Sequence, residues 1–157
     1  MSDSKKDKAK ELAIKTIEDA EYGLRLNTDE GRKLAYNALI LTLQTFEGTE
    51  NKDHNSRIFM LLGDVYTQIG DVDTALKAYG NAVNSPNGLG DPDIHLRIGK
   101  SFFEKNDETQ SLDNLSRALI MGGKKIFEGE DAKYFKFVTT ALDPPPEGWD
   151  AYEPPAA

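Results

Sequence analysis

The stretch Ser56-Arg-Ile-Phe-Met-Leu-Leu-Gly-Asp-Val-Tyr-Thr-Gln-Ile-Gly-Asp-Val-Asp-Thr-Ala-Leu-Lys-Ala-Tyr-Gly-Asn-Ala-Val83 decides the fold, because the chain writes its pattern twice. Pro92-Asp-Ile-His-Leu-Arg-Ile-Gly-Lys-Ser-Phe-Phe-Glu-Lys-Asn-Asp-Glu-Thr-Gln-Ser-Leu-Asp-Asn-Leu-Ser-Arg-Ala-Leu119 aligns with it without gaps, at an offset of 36 residues (Gly63 to Gly99). Leu62-Gly63 falls on Ile98-Gly99, Tyr66 on Phe102, and Gly70-Asp71 on Asn106-Asp107. Ala75 falls on Ser111, Tyr79 on Leu115 and Ala82 on Ala118, so small and large side chains recur in one order.

That order reads as a helix, a tight turn and an antiparallel helix. Phe59, Leu62, Gly63 and Tyr66 share one stripe at helical spacing. A glycine inside a helix costs about 1 kcal/mol, a cost a chain bears where two helix backbones must come close. Ala75 and Ala82 offer small surfaces from the second helix, and Tyr79 fills the space between them. Gly70 ends the first helix, and Asp71 caps the next by accepting from orphan backbone N–H groups. Asn106-Asp107 repeats the turn, with Asp107 and Gln110 spaced as a capping box. Asp91-Pro92 is a third helix start, an acidic cap followed by proline at the first helical position.

Working outward, residues 7–27 have helical composition with Leu12, Ile14, Ile17, Ala20, Leu24 and Leu26 apolar, and residues 29–46 form a second helix through Leu34, Ala38, Leu41 and Phe46. This is the expected degenerate first repeat, 7–46, with Gly23 in the slot of Gly63 and Ala35 in that of Ala75. Gly48 is expected to close it, and Thr49–Asn55 to form a polar link. After Met121-Gly-Gly-Lys-Lys, residues 131–142 read as a capping helix with Tyr134, Phe135 and Val138 on its apolar face, since a stack of repeats leaves an apolar end to cover. Asp143-Pro-Pro-Pro stops that helix. The Pro-rich tail, 143–157, is either extended or folded back through Trp149.

The residues Leu62, Gly63, Tyr66, Gly70, Ala75, Tyr79, Ala82 and Pro86, with Gly99, Phe102 and Ala118 in the second copy, resemble tetratricopeptide (TPR) repeats. The resemblance implies an all-α fold. It would be an α-α superhelix of about three helix pairs (7–46, 56–86, 92–122) in one domain, 1–142. In that family the first helix of each pair lines a concave groove that holds a peptide or helix of another protein. The inward positions implied here are Arg57, Met60, Leu61, Asp64 and Gln68, then Asp93, Leu96, Arg97, Lys100, Phe103 and Glu104. Met60, Leu61, Leu96 and Phe103 are more apolar than a solvated face requires. Either a partner covers them or the N-terminal helix or tail does. Arg97 and Lys100 lie one turn apart, suited to a carboxylate. The family subtype that clamps acidic chaperone C-termini is not expected. Arg97 matches its pattern, but Ala20, Leu24, Leu61 and Asp93 stand where carboxylate donors would be. In size and architecture the chain is similar to small bacterial secretion chaperones that hold translocator proteins.

Composition narrows the function from the other side. The chain has 157 residues, enough for a hydrophobic core without staples. Lys+Arg 19 against Asp+Glu 27 gives a net charge of -8, which repels nucleic-acid phosphates and anionic lipid. The absence of cysteine removes thiol catalysis, disulfides and thiolate zinc sites. No apolar run approaches the ~20 residues of a membrane span. Met1–Lys8 shows no apolar leader, and a cytoplasmic location is expected.

Fragments of catalytic motifs do not assemble. Gly99-Lys100-Ser101 ends like a phosphate loop, but Ile94 stands where the first glycine is needed. Gly88-Leu-Gly90 follows no strand. His54 and His95 lack a second histidine at ligand spacing, and His95 occupies a core position. Asp71/Asp73 and Asp91/Asp93 lack the further oxygens of a calcium loop and read as caps. Asn114 opens a glycosylation sequon, but in mid-helix. No enzyme activity, cofactor or metal is expected. The leading expectation is a protein-binding adaptor or chaperone. The alternative is an acidic inhibitor or immunity-type protein that neutralises a basic toxin or enzyme through its negative surface.

Overall fold

The computed structural model describes residues 3–47 and 52–156. All regular structure among them is helical: α1 (Asp3–Leu26), α2 (Asp29–Phe46), α3 (Asn55–Gln68), α4 (Val72–Val83), α5 (Pro92–Glu104), α6 (Glu108–Gly122), a 3-10 turn (Lys124–Phe127) and α7 (Ala132–Ala141). The second helix of the first pair has the expected limits, while α1 begins four residues earlier than 7. The expected stop at Gly48 and residues 49–51 of the link lie outside the described residues, and Asn55 already begins α3. The chain divides into two compact units, Met1–Leu89 and Gly90–Ala157, where the sequence grouped 1–142 as one domain.

Consecutive helices α1/α2, α3/α4 and α5/α6 pack as hairpins. The predicted caps form them. Gly70 turns the chain at φ 81°, and Asp71 then accepts from the Thr74 N–H at 3.1 Å. Asn106 turns at φ 60°, and Asp107 accepts from the Gln110 N–H at 3.1 Å. Thr28, Asp91 and Asp131 cap α2, α5 and α7 in the same way. Asp71 and Asp91 are thus helix caps, as read.

The glycines sit at the crossings. A Cβ on Gly63 would lie 2.2 Å from the Tyr79 ring, and one on Gly99 2.6 Å from Leu115 Cγ. In the first hairpin the contact is backbone to backbone, because Gly31 stands opposite Gly23. A Cβ on either would meet the other's carbonyl oxygen, at 2.5 Å from Gly23 and 2.2 Å from Gly31. Across the same interface Thr16 and Thr42 share a buried hydroxyl–hydroxyl hydrogen bond of 2.8 Å.

The core of the first unit joins Ala20 and Leu24 of α1, Ala35 and Leu39 of α2, and Ile58, Leu61, Leu62 and Val65 of α3. The core of the second joins Leu96, Leu115, Ala118 and Leu119 to Phe127, Tyr134 and Val138. The 3-10 turn that delivers Phe127 was not foreseen. The tail folds back. Trp149 packs on the second core and edge-on to Tyr152, and the Tyr152 hydroxyl donates to the Ile120 carbonyl at 2.8 Å. Lys124 pairs with Asp150. Five prolines prevent a helix here, yet irregular backbone can still bury aromatic rings.

Candidate functional site

The α3 positions that the resemblance pointed to are spent inside the first unit. Met60 and Leu61 are buried, and Leu61 belongs to the core shared with α1 and α2. Arg57 forms an ion pair with Glu21 of α1. The Asp64 carboxylate accepts from the Tyr79 hydroxyl at 2.8 Å. Gln68 Nε2 donates to the Leu24 carbonyl at 2.9 Å. Of the apolar positions left to a partner or to the chain's own N-terminal helix or tail, Met60, Leu61 and Leu96 are covered by the chain itself: all three are buried. For Leu61 the physical reason is the packing of the first hairpin beside α3. Leu96 lies in the second core, where the last turn and α7 close over it.

On α5, Arg97 reaches back to Asp93, donating to its carbonyl at 3.2 Å. Lys100, expected to hold a partner's carboxylate with Arg97, already pairs with Glu130 of its own unit. His95 is a core residue whose Nδ1 lies 3.1 Å from Asn114 Oδ1. Asn114 is correspondingly buried and withdrawn from any modifying enzyme.

Phe103 and Glu104 have a different setting. They meet α7, which positions them through a compact set of contacts. The Phe103 ring sits edge-on to Tyr134 at 5.3 Å and to Phe137 at 5.2 Å. Glu104 Oε1 accepts from the Tyr134 hydroxyl at 2.6 Å and pairs with Lys133 Nζ at 2.7 Å. Lys133 Nζ also stands 5.4 Å from the Phe103 ring centre and 5.0 Å from that of Tyr134. The Lys133 ammonium, and then the Tyr134 hydroxyl, hold the Glu104 carboxyl below the usual glutamate range. Its hydrogen bond to Glu104 pushes the Lys133 ammonium up. Burial, followed by the Glu104 contact, pushes the Tyr134 phenol up.

Beside this cluster runs an open groove of about 390 Å³, lined by Phe103, Lys133, Lys136, Phe137, Thr140 and Ala141. Its floor is aromatic and its rim carries two ammonium groups. Of the residues named from the sequence, only Phe103 lines it, and Glu104 stands at its edge. Lys133, Lys136, Phe137 and Thr140 were missed. The available signal was α7 itself: Tyr134, Phe135 and Phe137 give it more aromatic surface than one capping face uses.

Among the described residues no group of three histidine, aspartate or glutamate side chains is placed to hold a metal ion. No helix among them is long and apolar enough to cross a membrane. Neither a protein-family model nor a curated protein matches the chain.

Proposed function

We propose that the three hairpins are TPR-like repeats of an α-α superhelix, and that the protein is a non-enzymatic adaptor or chaperone that holds a segment of a partner protein. The observation that carries this reading is the α5–α7 groove. It is apolar along its floor, open, and edged by lysines on a chain whose net charge is -8. Lys136 has no ion-pair partner among the described residues. An amphipathic segment with aromatic or aliphatic anchors and flanking carboxylates fits that chemistry. The helical scaffold supports the reading further, because it holds Phe103 of α5 edge-on to both Tyr134 and Phe137 of α7.

The test is affinity purification from the native cell, with quantitative mass spectrometry, at low and at high salt. Thr140→Arg fills the groove from an exposed position and leaves the core untouched. The proposal expects partners that stay bound at high salt and are lost with Thr140→Arg. Equal capture by both proteins would overturn the groove. Partners lost at high salt, with no effect of Thr140→Arg, would favour the acidic-inhibitor reading.

A further inference from the structure

The outer face of the first hairpin, turned away from α3, carries five large apolar side chains among charged and polar ones, and all five stand exposed among the described residues. Helix α1 presents Lys8, Leu12, Lys15, Asp19, Tyr22 and Leu26 there, spaced alternately by four and three residues, and all six are exposed. Helix α2 continues the face with Glu30, Leu34, Asn37, Leu41 and Gln44 at the same spacing, all exposed. Leu12, Tyr22, Leu26, Leu34 and Leu41 are 44–64% exposed on this one face. A solvated helix end does not need them. Positions at this spacing stay on one side of a helix over several turns, so Leu12, Tyr22 and Leu26 with Lys15 and Asp19 between them can all meet one neighbouring helix.

The charges on α1 identify the occupant. Its first half, Asp3–Lys15, carries five lysines against three carboxylates. Its second half, Thr16–Leu26, carries Glu18, Asp19 and Glu21 against Arg25. A helix polarised in this way complements itself when a second copy lies antiparallel. We infer that the outer face of the α1–α2 hairpin is a homodimer interface, with the two α1 helices antiparallel across a two-fold axis near Ile17.

The register follows from the seam. Centring the axis there sets Lys15 against Asp19 of the second copy and Leu12 against Tyr22 of the second copy. Lys8 then reaches Leu26 of the second copy, at the carbonyl end of that helix, where a cation is favoured. Two-fold symmetry makes each of these contacts twice. The area is adequate: a face about 30 Å long and two helices wide covers roughly 600 Å² per copy, about 1,200 Å² in all, the lower edge of stable interfaces.

The test is sedimentation velocity across a concentration series, with circular dichroism to show that each variant keeps its helices. The wild type passes from 17.4 kDa to twice that mass as concentration rises. Lys15→Asp and Asp19→Lys each place like charges across the axis twice, and each weakens the dimer about tenfold or more. An equimolar mixture of the two single variants restores association, because every cross-axis pair is then of opposite sign. A wild type that stays at the monomer mass to about 200 μM, dimerisation indifferent to both reversals, or open-ended assembly in place of a closed dimer would each overturn the inference. Thr140→Arg dimerises normally, so the result is independent of the α5–α7 groove.

Discussion

Gly63 and Gly80 sit in neighbouring helices and have opposite surroundings. At Gly63 a methyl group would drive into the buried ring of Tyr79, whereas at Gly80 nothing lies within 4 Å. Helix propensity alone favours alanine at both by about 1 kcal/mol. Steric overlap at Gly63 outweighs it, because the Tyr79 hydroxyl is tied to Asp64 and Thr67 and the ring cannot swing aside. Gly63→Ala should destabilise the first unit by about 1–3 kcal/mol, and Gly80→Ala should stabilise it by about 0.5–1 kcal/mol, both read by urea denaturation. The same logic applies to polar groups. Asn114→Leu strips the buried His95 of its partner in that bond and should cost about 1–3 kcal/mol.

At the scale of the element, α5 and α7 are joined by charge as much as by apolar contact. Glu104 titrates below its ordinary 4.5 in the folded protein, so its contribution is present above that value and fades as pH falls through the lowered one. Lys133 titrates above 10.5, so its contribution is present below that value and fades as pH rises past it. Glu104→Gln should therefore unfold at lower urea than the wild type at pH 7, and the two midpoints should converge in acid below the glutamate range. A gap that persisted unchanged at low pH would mean the carboxylate is not the tie. The hairpins themselves were legible, since a small residue opposite a large one is written locally, as with Gly63 and Tyr79. Which side of α3 faces a third helix is not local. Met60 and Leu61 carry an apolar pattern that fits a groove or a core equally well, and the packing of the first hairpin decides for Leu61. Lys133 and Tyr134 meet Glu104 across about thirty residues of chain, a juxtaposition no spacing rule reaches.

For the molecule as a whole, the tail is part of the second unit's structure. Proline content predicted where the helix stops and left open whether Trp149 folds back; Trp149 packs on the second core, and Tyr152, which the sequence did not single out, reaches α6. Removing residues 144–157 strips the apolar cover that Trp149 provides and should lower the second unit's stability by about 2 kcal/mol. Thermal unfolding followed by circular dichroism checks this: the transition of that unit should move down while the first unit's stays fixed.

Trp149 is the single tryptophan of the chain, and its indole N–H is buried with no acceptor among the described residues. The indole as a whole is half-buried, so it fluoresces to the blue of a solvated one and shifts red when more water arrives. The protein thus carries its own lamp in one half only. Intensity and colour will follow the Gly90–Ala157 unit and remain blind to the other, so comparing emission with far-ultraviolet ellipticity during a melt separates the two halves without any label.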